Sequence, residues 1–324
     1  MNTAPRVTCV GEVLVDFIST RKGTTLAGAP SFAKCAGGAA ANVAAGLAQL
    51  GIATAMVAKV GDDAFGRFLR GELFRMGVGV SGVTFDKKHK TRLAFVSLEQ
   101  SGERDFDFWQ NAPADEQLTL RDVSIPAIAK SDIVHIGSFL LLNNPARSTA
   151  LRIARTLRTK GAQISFDPNL RLSLWKSSRE ARRVNLAMAK LATILRLNEA
   201  EARFLTGRRS LQAAARALRE LGPAIVVVTT GAEGCLLESA GAPVFIKGYR
   251  VSVADTTGCG DAFLAGLLAG IVKSDLRVEA LSLKRLVSIC KYANAAGALC
   301  ATLRGGIAAM PTRSEVATFL RRQK

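Results

Sequence analysis

The chain has 324 residues, 48% of them hydrophobic, enough for a substantial core in one large domain or two. Its 44 Lys and Arg against 26 Asp and Glu give a net charge of +18, but the cations recur on the polar faces of predicted helices, as at Arg147, Arg152, Arg155, Arg158 and Lys160 or Arg179, Arg182 and Arg183. That spacing, without interleaved aromatics, describes a solvated basic surface and makes a nucleic-acid partner unexpected. No apolar run reaches the roughly 18 residues that span a bilayer and no signal-peptide core opens the chain, so a cytoplasmic protein with no membrane partner is expected. The six cysteines are scattered without a Cys-x-x-Cys and read as reduced thiols; with two histidines in the chain, a zinc site is not expected.

In chain order, residues 7–17 predict a strand and 38–50 a helix of small residues in which Asn42 faces the turn before it. A strand over 53–60 and a helix over 63–76 follow. Leu93, Phe95, Ser97 and Glu99 alternate before Ser101-Gly102, which predicts a hairpin over 92–108. From 132 onward strand and helix alternate: strands at 133–136, 162–167, 194–197 and 224–229, and helices at 146–160, 178–191, 199–206 and 210–221. Short strands at 234–237 and 244–247 precede a helix at 262–272 and two more at 283–301 and 313–322. Such alternation implies crossover units: an α/β fold with a doubly wound, mostly parallel sheet and helices on both faces, as one domain over 1–324. A small β lid is expected from about 12–36 and 90–111.

Two glycine turns carry the chemistry. Residues 255–261 read Asp-Thr-Thr-Gly-Cys-Gly-Asp and open directly into an apolar helix. Gly258 and Gly260 can point successive N–H groups at one spot, and the positive end of the helix favours an anion there. Asp261 sits inside this positive turn, where its carboxylate could accept a proton from an attacking hydroxyl. Its alternative is to cap free N–H groups at a plain helix start. The earlier turn, Ala36-Gly37-Gly38-Ala39-Ala40-Ala41-Asn42, opens a second helix of small residues, and two such turns suit a two-substrate transfer or, alternatively, close helix-to-sheet packing. Asp16 would lie beside the early turn, either holding two hydroxyls of a polyol or standing as an ordinary loop aspartate.

These turns resemble the two signature motifs of the ribokinase-like (PfkB) carbohydrate kinases, and the resemblance runs from Val7 to Leu320. Gly-Glu-Val-Leu-Val-Asp-Phe at 11–17, Lys-Val-Gly-Asp-Asp-Ala-Phe-Gly at 59–66, Gly-Glu-Arg-Asp-Phe-Asp-Phe at 102–108 and Phe-Asp-Pro-Asn-Leu-Arg at 166–171 are similar to fructokinase segments. Kinases of sugar acids share several of them. The resemblance implies ATP-dependent phosphorylation of a sugar hydroxyl, with D-fructose first and 2-keto-3-deoxygluconate or another sugar acid as the alternative. A non-enzyme alternative, a catalytically silent basic scaffold, would call for loss of Asp261 or its glycines, and all are present. The sequence lacks the third glycine of a dinucleotide fingerprint and any Gly-Lys-Ser or Gly-Lys-Thr.

Residue by residue, the resemblance makes Asp261 the catalytic base and the amides of Gly258, Cys259 and Gly260 an anion hole. It puts Asp16, Gly37, Gly38, Asn42, Arg104 and Arg171 at the sugar. Asn198 and Glu201 would organise Mg2+ and the ATP phosphates, partly through water, while Thr229, Gly231, Gly234 and Asn294 would hold the nucleotide. A potassium ion is implied beside the anion hole, at Asp255 and Thr257 and the carbonyls near Cys300, Leu303, Gly305 and Ala309. Cys259 departs from the alanine common in the family and adds a thiol. The lid hairpin is expected to cover sugar or to join two copies in a homodimer.

Overall fold

The computed structural model describes residues 4–98, 104–109 and 111–323, the side chains of 98 and 104–106 excepted. The first part of the chain forms β1 (Val7–Val10), β2 (Leu14–Ser19), β3 (Phe32–Gly37), α1 (Ala39–Gln49), β4 (Thr54–Gly61), α2 (Ala64–Arg75), β5 (Gly79–Asp86), β6 (Leu93–Leu98), β7 (Arg104–Phe108) and α3 (Ile125–Ile128). Then come β8 (Ile133–Gly137), α4 (Ala146–Thr159), β9 (Gln163–Asp167), α5 (Ser178–Ala189), β10 (Ile194–Asn198), α6 (Glu199–Thr206), α7 (Leu211–Arg219) and β11 (Ile225–Thr229). The chain ends with β12 (Gly234–Glu238), β13 (Val244–Lys247), α8 (Cys259–Val272), α9 (Leu283–Cys300) and α10 (Arg313–Arg322).

The main sheet runs β13-β12-β11-β10-β9-β8-β1-β4-β5. Its strands are parallel from β11 to β5, and β12 and β13 close the other edge antiparallel. Chain direction across the sheet reverses between β1 and β8, and in an open α/β sheet ligands bind beyond the strand ends at such a point. The apolar run of β11 shows why these strands need no polar face. Ile225 and Val227 belong to the core under α1, α8 and α9, whereas Val226 and Val228 belong to the core under α4, α5 and α7. Helix α8 is buried on nearly every side, and its small residues permit this. A Cβ on Gly46 of α1 would lie 2.8 Å from Ala265 Cβ, and one on Gly266 would lie 2.9 Å from Ala293 Cα of α9.

A second sheet, β3-β2-β6-β7, is built from residues 14–37 and 93–108. Strand β2 pairs antiparallel with β3 and parallel with β6, and β6 pairs antiparallel with β7. Phe17 and Phe95 stack across it at 5.1 Å between ring centroids, and Phe32 meets Phe95 edge-on. The Ser101-Gly102 turn lies outside the described residues.

The expected strand over 7–17 is corrected: it is two strands in two sheets, broken at 11–13 because the chain turns there to begin the small sheet. Strands β3 and β5 went unread, since Phe32–Gly37 lacks a regular apolar alternation and Gly79–Asp86 carries two glycines that blur its own. The helix expected at 262 begins at Cys259, so Asp261 lies within its first turn. Among the described residues no helix is long and apolar enough to cross a membrane.

Candidate active site

Gly258 takes φ 76° as the N-cap of α8, a left-handed conformation that glycine reaches without a Cβ clash. The turn therefore leaves the amides from Gly258 to Asp261 at the start of α8, that of Cys259 donating to Thr256 O at 3.4 Å. Asp261 is 8% exposed, and its Oδ2 accepts a 2.8 Å hydrogen bond from Asn42 Nδ2 of α1. Asn42 thus faces the other glycine turn and not its own, which corrects the sequence reading. Burial pushes the Asp261 carboxyl up to about 7; the charges of Asp167 and Glu12 act in the same direction, while the Asn42 bond and the Arg196 charge oppose them. A carboxylate with this affinity for a proton suits a general base near neutral pH.

Asp261 borders a cleft of about 270 Å3 whose walls include Glu12, Asp16, Gly38, Asn42, Phe108, Phe139, Asn169 and Arg171. Asp16 stands on β2 across from Cys35 of β3, and a Cβ on Gly37 would come to 2.1 Å from Asp16 Oδ2, so only glycine leaves that carboxylate its place. Gly38, at φ 101°, caps α1. Arg171 follows the Asp167 turn, in which Asn169 N–H donates to Asp167 Oδ1 at 3.1 Å. The backbone of Arg104 opens β7, but its side chain lies outside the described residues.

A second cleft of about 440 Å3 lies on the other side of the α8 turn, against Thr229, Gly231, Gly234, Cys259, Phe263 and Asn294. Asn294 Nδ2 donates to the carbonyls of Ile246 and Lys247, anchoring β13 beside it. The two clefts meet at Arg196, Thr256 and Gly260, which line both. Asn198 and Glu201 form a reciprocal cap of α6: Glu201 N–H donates to Asn198 Oδ1 at 2.9 Å and Asn198 N–H to Glu201 Oε2 at 2.8 Å. Glu201 Oε1 accepts from Leu170 N–H at 2.7 Å, so both its oxygens are engaged by backbone. Burial first, then the charge of Asp167, raises the Glu201 carboxyl above its ordinary range.

Below the α8 turn, Asp255 Oδ1 accepts from the N–H and Oγ1 of Thr257, and Oδ2 from Gly305 N–H at 3.1 Å. Cys300 Sγ donates to Thr257 O at 3.5 Å. Asp255, Thr257, Cys300 and Gly305 are thereby brought together. Leu303 is exposed and Ala309 buried on the loop that follows.

Two site residues escaped the sequence reading. Glu12, 1% exposed, accepts from Ala40 N–H through Oε1 at the start of α1, and burial pushes its carboxyl up to about 7. Arg196 is a buried cation within β10. An acid beside Gly11 and a lone arginine in the run Ile194-Leu195-Arg196-Leu197 were the signals available, since a charge inside an apolar strand needs a partner.

The chain matches the model of the pfkB family carbohydrate kinases over residues 4–313. It is 41% identical over 311 residues to fructokinase-1 of Oryza sativa subsp. japonica, covering 96% of each chain. Among solved structures it is similar to a fructokinase double mutant from Vibrio cholerae O395 in a fructose-, ADP- and potassium-bound form. That likeness has a TM-score of 0.88 and 32% identity over 98% of this chain and 100% of the other. It is also similar to aminoimidazole riboside kinase from Salmonella enterica complexed with aminoimidazole riboside and an ATP analogue, with a TM-score of 0.84 and 30% identity over 97% and 99% of the two chains. The chain belongs to the pfkB carbohydrate kinase family.

Proposed function

We propose that this kinase transfers the γ-phosphoryl group of ATP to D-fructose, giving fructose 6-phosphate and ADP. The observation that carries the reading is Asp261, a buried carboxylate in the first turn of α8 on the wall between two clefts. Likeness to fructokinases over nearly the whole chain supports fructose as the acceptor.

In this reading the sugar lies in the cleft of Asp16, Gly38 and Asn42, and the nucleotide in the cleft of Thr229, Gly231 and Asn294. Asp261 takes the proton from the acceptor hydroxyl as its oxygen bonds to phosphorus and the bond to ADP breaks. The amides of Gly258, Cys259 and Gly260 stabilise charge on the moving group, helped by the positive end of α8. Asn42 holds the Asp261 carboxylate in line and keeps it more acidic than burial alone would.

Mg2+, when bound, neutralises phosphate charge. Both oxygens of Glu201 are occupied by backbone N–H groups, so Asn198 and Glu201 suit a Mg2+ held by phosphates and water better than one ligated directly. The oxygen-rich turn of Asp255 and Thr257 suits a potassium ion, which would brace the α8 turn from below. The small sheet is the lid, closing over sugar to limit wasteful ATP hydrolysis or joining two copies in a homodimer. Six free cysteines fit a cytoplasmic enzyme.

A sugar acid such as 2-keto-3-deoxygluconate is the second acceptor to weigh, because the net charge of +18 would draw an anion. A coupled ADP-release assay over fructose, other hexoses, ribose, aminoimidazole riboside and 2-keto-3-deoxygluconate decides between them. The highest kcat/KM is expected with fructose, and a hundredfold preference for a sugar acid overturns the assignment.

A further inference from the structure

We propose that Arg196 grips the phosphoryl group in transit, as the cation at the junction of the nucleotide and sugar clefts; this rests on the sugar-kinase reading above. Strand pleating sends Leu195 and Leu197 into one core and turns Arg196, with Ile194, toward α8 on the opposite face. There the guanidinium is 8% exposed and is the one charged side chain that lines both clefts among the described residues.

Its bonds leave it donors to spare. Nη1 donates to Asp167 Oδ2 and Nη2 to Thr229 Oγ1, each at 2.7 Å, while Nε is buried without a partner among the described residues. The fork therefore keeps N–H capacity beyond the bonds it makes. It lies flat against the α8 turn, since a Cβ on Gly260 would come to 2.7 Å from Nη1 and 2.8 Å from Nη2. Beside the positive end of α8 the guanidinium is held charged by Asp167 first, then by Glu201 and Asp261. Asp167 balances one unit of charge, but a phosphoryl group crossing from one cleft to the other also passes Asp261 and Glu12. Arg196 and the α8 amides would offset that repulsion, and a planar fork bonds two phosphate oxygens at once. Phe263, 5.9 Å from the guanidinium carbon by its ring centroid, and Asp167 hold the plane in place.

A merely structural Arg196 would tie β9, β10 and β11 together and touch no phosphate. Calorimetry with ADP and with the non-reacting analogue adenylyl imidodiphosphate separates the two roles. Arg196→Lys keeps a cation for Asp167 and loses the fork. It is expected to bind ADP within threefold of wild type, to lose at least tenfold in affinity for the triphosphate analogue, and to lose at least a hundredfold in kcat with the sugar KM little changed. Arg196→Ala should recover part of its kcat on adding guanidinium ion. Equal losses for ADP and the triphosphate analogue, or a kcat for Arg196→Lys within tenfold of wild type, overturn the proposal. Wild-type protein that binds the analogue but phosphorylates no sugar overturns the sugar reading instead, and leaves the difference between the two ligands to judge Arg196.

Discussion

Replacing Asp261 by Asn should abolish turnover and stabilise the fold in the same stroke. Asn42 Nδ2 donates to Asp261 Oδ2 at 2.8 Å, and a substituted amide can accept that bond through its own oxygen, so the cleft keeps its shape. The proton acceptor is gone, and a loss of at least about a hundredfold in kcat, roughly 2.7 kcal/mol of barrier, is expected with sugar affinity mostly kept. The stability effect follows from the same burial. The carboxyl is raised from 3.8 to about 7, so the folded protein holds this proton more tightly than the unfolded chain. Its contribution is whole below about pH 4, declines as pH rises, and is lost above about pH 7. The ionised group then costs the fold up to about 4 kcal/mol, at 1.36 kcal/mol for each pH unit between the two values. The Asp261→Asn protein escapes that cost. At pH 8 its melting midpoint should rise by up to about 6 °C for a chain of this size, and the gain should vanish near pH 4. Scanning calorimetry at both pH values, beside a coupled ADP assay, checks the two halves. Turnover within tenfold of wild type removes Asp261 from the mechanism, and no gain in midpoint at pH 8 refutes the account of its buried charge.

Because the base must be ionised, wild-type kcat/KM should fall about tenfold per pH unit below about 7, and a profile flat to pH 5.5 would contradict the burial of Asp261. Gly37→Ala should raise the sugar KM at least about tenfold and leave ADP affinity unchanged, since the added Cβ would meet Asp16 Oδ2 at 2.1 Å; titration calorimetry reads both. Iodoacetamide should label Cys259 and Cys35, the two cysteines that are not fully buried, with ATP protecting Cys259. Mass-spectrometric mapping that finds Cys259 labelled equally with and without ATP would separate its thiol from the nucleotide cleft. Amide exchange in β6 and β7 should slow when sugar is added, and unchanged rates at saturation would leave the small sheet without a lid role.

Local pattern determined much of this protein. The apolar strands alternating with amphipathic helices from 132 to 229 specify a parallel sheet covered on both faces, because each such strand must bury both sides. The two glycine turns were legible too: Gly258 and Gly38 adopt positive φ where their helices begin, a demand that glycine meets within a few residues of chain. Tertiary structure alone decided which groups those turns face. Asn42 and Asp261 are 219 positions apart, and Arg196 reaches Asp167 and Thr229 on neighbouring strands. No periodicity encodes such pairs, since their partners are chosen by strand order and helix packing. The split of residues 7–17 between two sheets has the same origin, because β1 and β2 are equally strand-like and only their pairing, with β4 and β8 or with β3 and β6, separates them. Burial, which moves the Asp261 carboxyl into the range of a working base, is likewise a property of the packed molecule and of no segment within it.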